Sequence, residues 1–481
     1  MRNAMAIQQT FNGTRREHDL LGYREVPADA YYGIHTLRAL ENFPISGDPI
    51  SKHPELIVAL VDIKEAAALA NRELELLDEK RCNAIIEACK AIRAGQHADQ
   101  FAVDLIQGGA GTSTNMNANE VVCNKALEIL GHQRGEYDLL HPNEHVNMSQ
   151  STNDVYPTAL KIATYRSVLR LLDQMALLES SFARKSAEFR DMLKVGRTQL
   201  QDAVPMTLGQ EFGTYAVMLN EDRQRLGEAL PLISEMNLGA TAIGTGINAH
   251  PDYAVLVRQH LCAVSGLPLH TAPYLIEATQ DCGAFVQLSG VLKRIAVKLS
   301  KVCNDLRLLS SGPRSGLGEI NLPPVQAGSS IMPGKVNPVI PEVVNQVAFE
   351  VIGNDMTITM AAEAGQLQLN AFEPIIAYSL FRSISHLTQA CATLEEKCVR
   401  GITANSEHMR DMLDRSIVLV TALNPYIGYA NSTEVAREAL ETGRKVADIV
   451  LERGLLSKEA LSEILRPEVL TAPRAPIAFS K

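Results

Sequence analysis

The stretch Leu288-Ser-Gly-Val-Leu-Lys-Arg-Ile-Ala-Val-Lys-Leu-Ser-Lys-Val-Cys-Asn-Asp-Leu-Arg-Leu-Leu309 places apolar residues at Leu288, Val291, Leu292, Ile295, Leu299, Val302, Leu306 and Leu309. Steps of three and four residues are the period of an α-helix with one buried face, and Gly312-Pro313 supplies a stop signal just beyond it. From Pro157 to Leu193 the pattern is similar, with Leu169, Leu172, Met175 and Ala176 expected on one face. A helix of that length spans roughly 55 Å at the standard rise per residue. Further helical stretches run from about 209 to 236, 338 to 362 and 373 to 399. Long amphipathic helices in the middle of a chain predict an all-α fold built on an elongated bundle of five, not a compact α/β domain. Their wide apolar faces predict partners beyond the chain, and hence a homo-oligomer.

The flanks read differently. Residues 1–149 mix shorter helices with Pro-, Gly- and Asn-rich turns, and residues 405–481 form a small helical tail ending in a proline-bearing extended stretch from Arg466 to Lys481. The expected division is therefore an N-terminal helical domain (1–149), a central bundle (150–404) and a small C-terminal domain (405–481).

A length of 481 residues allows two or three domains and a large core. Apolar residues make up 46% and charged residues 21%, ordinary for a soluble, largely helical protein. The formal net charge of -10 argues against nucleic acid as the main partner, so an anionic substrate would need a locally positive pocket. The eight cysteines contain no C-x-x-C pair and read as reduced thiols of a cytoplasmic protein. No apolar run approaches membrane-spanning length, and Met1 to Glu17 lacks the apolar segment of a secretory leader.

Chemistry is expected in the polar connections. These are Gln107–Asn117, His141–Asp154, Gly196–Asp202, Asn237–Asn248, and the loop Ala327-Gly-Ser-Ser-Ile-Met-Pro-Gly-Lys-Val-Asn-Pro338. All are rich in hydroxyls and carboxamides and poor in aromatics, which suits a small anion held by many hydrogen bonds. For any single one, a capped inter-helix turn explains the same letters, because Ser, Thr and Asn are favoured there for local reasons.

The last loop concentrates what proton abstraction beside a carboxylate requires. Such a step creates a doubly negative enolate-like species, which needs several preorganised donors. Backbone N–H groups around Gly328, Ser329 and Ser330 can form a nest, Lys335 supplies a point charge, and Asn337 both donates and accepts. A serine hydroxyl becomes a base when cationic and N–H partners favour its alkoxide. The competing reading is a surface loop running into a helix, with Asn337 as N-cap and Pro338 or Pro341 in the first turn.

Other motifs fail. Gly328 and Gly334-Lys335 miss the phosphate-loop pattern in spacing and in the valine that follows the lysine. His141-Pro-Asn-Glu144-His145 matches a zinc spacing, but Pro142 argues against the helix that would align the histidines. No G-x-G-x-x-G follows a strand-like run, nothing nominates a pyridoxal lysine, and no Ala-Ser-Gly triplet occurs, so a deamination would be cofactor-free.

The segment Gly328-Ser-Ser-Ile-Met-Pro-Gly-Lys-Val-Asn-Pro338 is similar to the signature of the aspartase/fumarase superfamily, and the resemblance extends over almost the whole chain from Leu20-Leu-Gly-Tyr-Arg-Glu-Val-Pro-Ala-Asp-Ala-Tyr-Tyr-Gly33 onward. Within it the chain looks like an ammonia-lyase and less like a class II fumarase. Gln150-Ser-Thr-Asn-Asp154 has a threonine where fumarases typically have a second serine, and both Val339–Gln346 and Thr198-Gln-Leu-Gln-Asp202 fit the ammonia-lyase side.

The resemblance implies a three-domain all-α fold with a central bundle of five long helices, a homotetramer with shared sites, and deamination of L-aspartate to fumarate and ammonium. It implies Ser329 as the base at C3, and Ser330, Ser151 and Thr152 around the β-carboxylate. Thr198, Lys335 and Asn337 would hold the α-carboxylate, with Thr112 and Asn153 near the amino group. No cofactor is implied; some members are activated by a divalent metal at a separate site, and nothing in the sequence marks one. Gln199 stands where fumarases and some aspartases carry a histidine paired with the glutamate matching Glu342, which leaves proton delivery to the leaving group without an assigned acid. The alternatives are hydration of fumarate to L-malate and an inactive helical scaffold.

Overall fold

Five helices of 25 to 37 residues dominate the structure, at Thr152–Glu188, Leu208–Ile233, Gly283–Leu309, Val339–Glu363 and Glu373–Lys397. The structure is a computed structural model and describes residues 13–473. Those five are the stretches the apolar period marks out, and the fold is of the all-α class. In Gly283–Leu309 the expected stripe is the buried one except at Val291, which is half-buried: Leu288, Leu292, Ile295, Leu299, Val302, Leu306 and Leu309 are all in the core.

The Thr152–Glu188 helix corrects the expected face. Its core side is Val168, Leu171, Met175, Leu178 and Phe182, whereas Leu169 is exposed and Leu172 half-buried. A helix with apolar residues on two adjoining faces leaves its period ambiguous by one position, and packing chose the face that carries the phenylalanine. Pro157 lies in the second turn, where the helix tolerates it near its start.

Contacts divide the chain into two compact units, and each long helix contributes residues to both. The first unit comprises residues up to Leu171, Arg225–Lys293 and Glu350–His386; the second comprises Leu172–Gln224, Arg294–Phe349 and the chain from Leu387 onward.

In the first unit the helices Pro54–Glu73, Glu79–Arg93 and Thr112–Ile129 bury Leu56, Leu60, Ile63, Ile85, Val121 and Val122. A short helix, Ile34–Asn42, has its N-terminus closed by acids from elsewhere. The Glu120 carboxylate accepts from the backbone N–H groups of Gly33, His35 and Thr36 at 2.8 to 3.1 Å, and Glu17 accepts from that of Ile34 at 2.8 Å. Orphan N–H groups and the helix dipole compensate the buried carboxylates there. Long helices also pair inside this unit: Asp355 accepts from the Ser289 hydroxyl at 2.7 Å, and Glu350 meets Arg382 and His386 at 2.6 Å.

In the second unit, Phe182, Phe189, Phe212 and Tyr215 form an aromatic cluster with ring centroids 5.2 to 6.1 Å apart. Asp222 is ion-paired with Arg294 at 2.8 Å and Lys298 at 3.1 Å. The small C-terminal helices enclose Leu413, Leu423, Val435, Ile449 and Ile464, and the same core takes in Leu193 and Val195 from a β-hairpin.

The sequence reading contains no strands, yet four two-stranded sheets are present among the described residues. Thr14–Asp19 pairs antiparallel with Gly22–Pro27, and Leu193–Thr198 with Gln201–Thr207. Each run is short and polar on one side, too brief for its period to stand out beside the long helices. Residues 467–470 form a helical turn, not an extended stretch. Residues 1–12, most of the segment read as lacking a leader, and residues 474–481 of the expected extended tail lie outside the described residues. Among the described residues, no helix is long and apolar enough to cross a membrane.

Candidate active site

The residues singled out in the sequence fall into two groups, one in each unit. In the first unit, Ser151, Thr152 and Asn153 occupy the turn that opens the long Thr152–Glu188 helix. The local capping explanation holds for this turn. The Ser151 hydroxyl accepts from the backbone N–H of Asn153 at 3.3 Å, and Asp154 reaches back to the N–H of Ser151 at 2.9 Å, a reciprocal capping box. Asp154 also accepts from the N–H of Gly239 at 2.9 Å. It is fully buried, and burial raises its carboxyl to about 6 against those backbone donors. The Asn153 amide donates to the carbonyl of Ala242 at 2.6 Å, which brings the Asn237–Asn248 connection to this turn.

Thr112 begins the helix Thr112–Ile129, and its hydroxyl donates to Gly109 O at 2.7 Å. One helical turn further on, Asn115 donates to the Thr152 hydroxyl at 3.3 Å, so Thr112 and Thr152 belong to neighbouring turns. Beneath them is Lys64, which is completely buried and was not singled out in the sequence. Its ammonium donates to the side-chain oxygens of Asn115, Asn147 and Gln150 at 2.7, 3.1 and 2.9 Å. Burial pulls it down to about 7, partly opposed by the charge of Asp154.

In the second unit, Ser329, Ser330, Lys335 and Asn337 share one loop. The hydroxyl oxygen of Ser329 accepts from the backbone N–H groups of Ile331 at 3.2 Å and Met332 at 2.9 Å. Two backbone donors on one hydroxyl oxygen favour its deprotonated form. Asn337 does not cap the following helix, which starts at Val339; its amide donates to Gly328 O at 2.6 Å and closes the loop, aided by the Gly328 N–H bond to Lys335 O at 3.0 Å. The expected nest is thus only partly available, because the Gly328 donor is engaged within the loop. A Cβ on Gly328 would lie 2.3 Å from Lys335 O, so only glycine permits this closure. Ser330 and Lys335 face outward. Glu342 sits in the first turn of Val339–Glu363.

Thr198 ends the strand Leu193–Thr198, and the tip beyond it turns through Gln199 and Leu200 with φ of 56° and 62°. The base of this hairpin is tied to the entrance of the serine loop: fully buried Glu319 is ion-paired with Lys194 at 2.7 Å and with Arg197. The strand Ile320–Asn321 follows at once and pairs with Thr403–Ala404.

The zinc spacing at 141–145 forms a single π-helical turn, Pro142–Val146. Its histidines are used locally: His141 Nδ1 accepts from the N–H groups of Asn143 and Glu144, and His145 Nδ1 from that of His141. Among the described residues, no group of three or more His, Cys, Asp or Glu side chains is placed to hold a metal ion.

A family model described as a lyase matches residues 22–353, and one described as the C-terminus of fumarase C matches residues 419–472. The chain belongs to the aspartase/fumarase superfamily. Among superfamily relatives, the chain is 61% identical to an aspartate ammonia-lyase of Pseudomonas fluorescens, over 98% of both chains. It is 57% identical to that of Escherichia coli K12, over 96% of this chain and 97% of the relative. A crystal structure of a fumarate lyase:delta crystallin from Brucella melitensis, bound to cobalt, matches with a TM-score of 0.94 at 55% identity, covering 96% of this chain and all of that one. The class II fumarase of Schistosoma mansoni matches with a TM-score of 0.89 at 36% identity, over 94% of this chain and 98% of its own.

Proposed function

We propose that the chain deaminates L-aspartate reversibly to fumarate and ammonium, with Ser329 taking the C3 proton and an enediolate as the intermediate. The enzyme is an aspartate ammonia-lyase, a carbon–nitrogen lyase. The observation that carries this reading is near full-length identity of 57–61% to relatives of that name.

In the proposed sequence, Ser329 Oγ removes the proton and the C–H electron pair moves into the β-carboxylate. Ser330, Ser151 and Thr152 hold that carboxylate as its charge doubles, while Thr198, Lys335 and Asn337 hold the α-carboxylate. The pair then forms the C2–C3 double bond as the C2–N bond breaks, and its electrons leave with ammonia, which departs as ammonium after taking up a proton. Thr112 and Asn153 line the amino group. Ammonia leaves without the strong acid that hydroxide requires, which suits Gln199, a side chain that cannot donate a proton as an acid. No cofactor enters these steps, and a divalent cation, where it activates, is proposed to act away from the reacting atoms.

The proposed assembly is a homotetramer that completes each site from several subunits. Phe349, Ile352, Met356 and Met360 support it: they form one exposed stripe along Val339–Glu363, with Phe349, Met356 and Met360 each more than 60% exposed. The proposed working division is into segments 1–149, 150–404 and 405–481. The cytoplasm is the proposed compartment, consistent with eight unpaired cysteines.

Fumarate absorbance on adding L-aspartate, and separately L-malate, to the purified protein tests the reading. Fumarate from aspartate alone is expected; fumarate from malate would mean a hydratase, and none from either an inactive scaffold. In Ser329→Ala, kcat is expected to fall about 10²- to 10⁴-fold with unchanged circular dichroism, the range for losing a positioned base. Unchanged turnover would remove Ser329 from the mechanism.

A further inference from the structure

Lys64 sits in the largely apolar stretch Leu56–Ala70 of the helix Pro54–Glu73, which also carries Asp62 and Glu65, and it is completely buried. Burying a lysine is costly, and a hydrophobic residue of similar volume fills such a position at lower cost. Among the described residues Lys64 makes no ion pair. Its three N–H donors instead meet the three amide oxygens of Asn115, Asn147 and Gln150, at 2.7 to 3.1 Å.

The network is saturated and has a direction. Lysine ammonium can only donate, so Asn115 must turn its oxygen toward Lys64 and its nitrogen away. That nitrogen donates to Asn147 Oδ1 at 3.1 Å and to the Thr152 hydroxyl oxygen at 3.3 Å. Asn147 in turn donates to Gln150 O at 3.2 Å, and Gln150 to the carbonyls of Val146 and Met148 at 2.9 and 3.1 Å. No amide in this set can flip without leaving a donor facing the ammonium. The Thr152 hydroxyl therefore accepts from Asn115, which leaves its own proton free to point outward.

We infer that Lys64 is a positioning residue for the substrate site: by fixing the Asn115 amide, it sets the Thr152 hydroxyl to donate to a substrate carboxylate. The inference rests on the proposed role of Thr152 as a substrate contact. Lys64 touches no substrate itself. Burial lowers Lys64 to about 7, opposed in part by the charge of Asp154, so the orientation described belongs to the ammonium form.

Asn115→Asp separates this role from a merely structural one. A carboxylate there still accepts from Lys64 and supplies it with a counter-ion, which offsets the donor lost to Asn147 Oδ1, so the fold is expected to stand with its melting temperature little changed. The same carboxylate cannot donate to Thr152; it accepts from that hydroxyl and turns its proton inward. The expected result is a fall in kcat/KM for L-aspartate of about 10- to 100-fold, the range for a hydrogen bond to a charged group. Thr152→Val is expected to fall similarly, and the double variant no further than Thr152→Val alone. Lys64→Met, alone and with Thr152→Val, provides a second cycle should Asn115→Asp fail to fold, and the same non-additivity is expected.

Wild-type kcat/KM in folded Asn115→Asp, or additive losses in either cycle, would overturn the inference while leaving Thr152 as a substrate contact. Wild-type activity in Thr152→Val would overturn the substrate role of Thr152 and the inference with it.

Discussion

At the scale of single residues, the polar side chains divide by what burial does to them. Ser329 has two backbone donors on its oxygen in a largely exposed loop, so the chemistry proposed for it rests on hydrogen bonds and not on desolvation. Glu373 is the opposite case. It is buried near Lys161, also buried, and burial raises its carboxyl to about 8 while the same effect lowers Lys161. A folded-state value above the unfolded one means the folded chain holds the proton longer. Stability is therefore free of this cost below about pH 4.5, falls as pH rises toward 8, and carries the full cost above it. The wild type is accordingly expected to lose melting temperature relative to Glu373→Gln between pH 5 and 9, by several degrees in all, read by calorimetry. A difference constant across that range would mean the carboxyl ionises normally. The loop that carries Ser329 was legible from its signature; Glu373, one acid among fifty-five acidic residues, was not, because burial is a property of its neighbours.

Elements set where those residues can act. The helix Thr112–Ile129 begins immediately after Gly111, whose φ of 89° lies in the region that favours glycine, and a Cβ there would collide with the Tyr156 ring. Gly111→Ala is expected to destabilise the fold by more than about 1 kcal/mol, since both the backbone and the contact oppose it. It should also lower turnover through the displaced first turn carrying Thr112; unchanged melting and activity would show that this turn adapts freely. The five long helices were readable because a stripe repeated over 25 residues outweighs noise. The hairpin carrying Thr198 was not, since its two short strands owe their place to the C-terminal helices that cover Leu193 and Val195.

For the whole molecule, the outward stripe Phe349, Ile352, Met356 and Met360 leaves apolar side chains of one helix exposed. An exposed apolar face of this kind suits the proposed association of subunits. Met356→Lys, which places a charge in its centre, is expected to shift the sedimentation coefficient to a smaller species and to cut fumarate formation at least tenfold at low protein concentration. An unaltered sedimentation profile would place the contact elsewhere.

Periodicity and the serine signature by themselves determined the helical class, the five long helices, the family and the loop that carries Ser329, because each is written in consecutive residues and local spacing. The core side of Thr152–Glu188, the two short hairpins, the closure of the serine loop by Asn337, and the lysine under Thr152 were decided only by tertiary structure. Lys64 and Asn115 lie 51 positions apart and meet because three helices pack their apolar faces. What a buried polar group does depends on which distant partners that packing brings within 3 Å, and no local pattern encodes it.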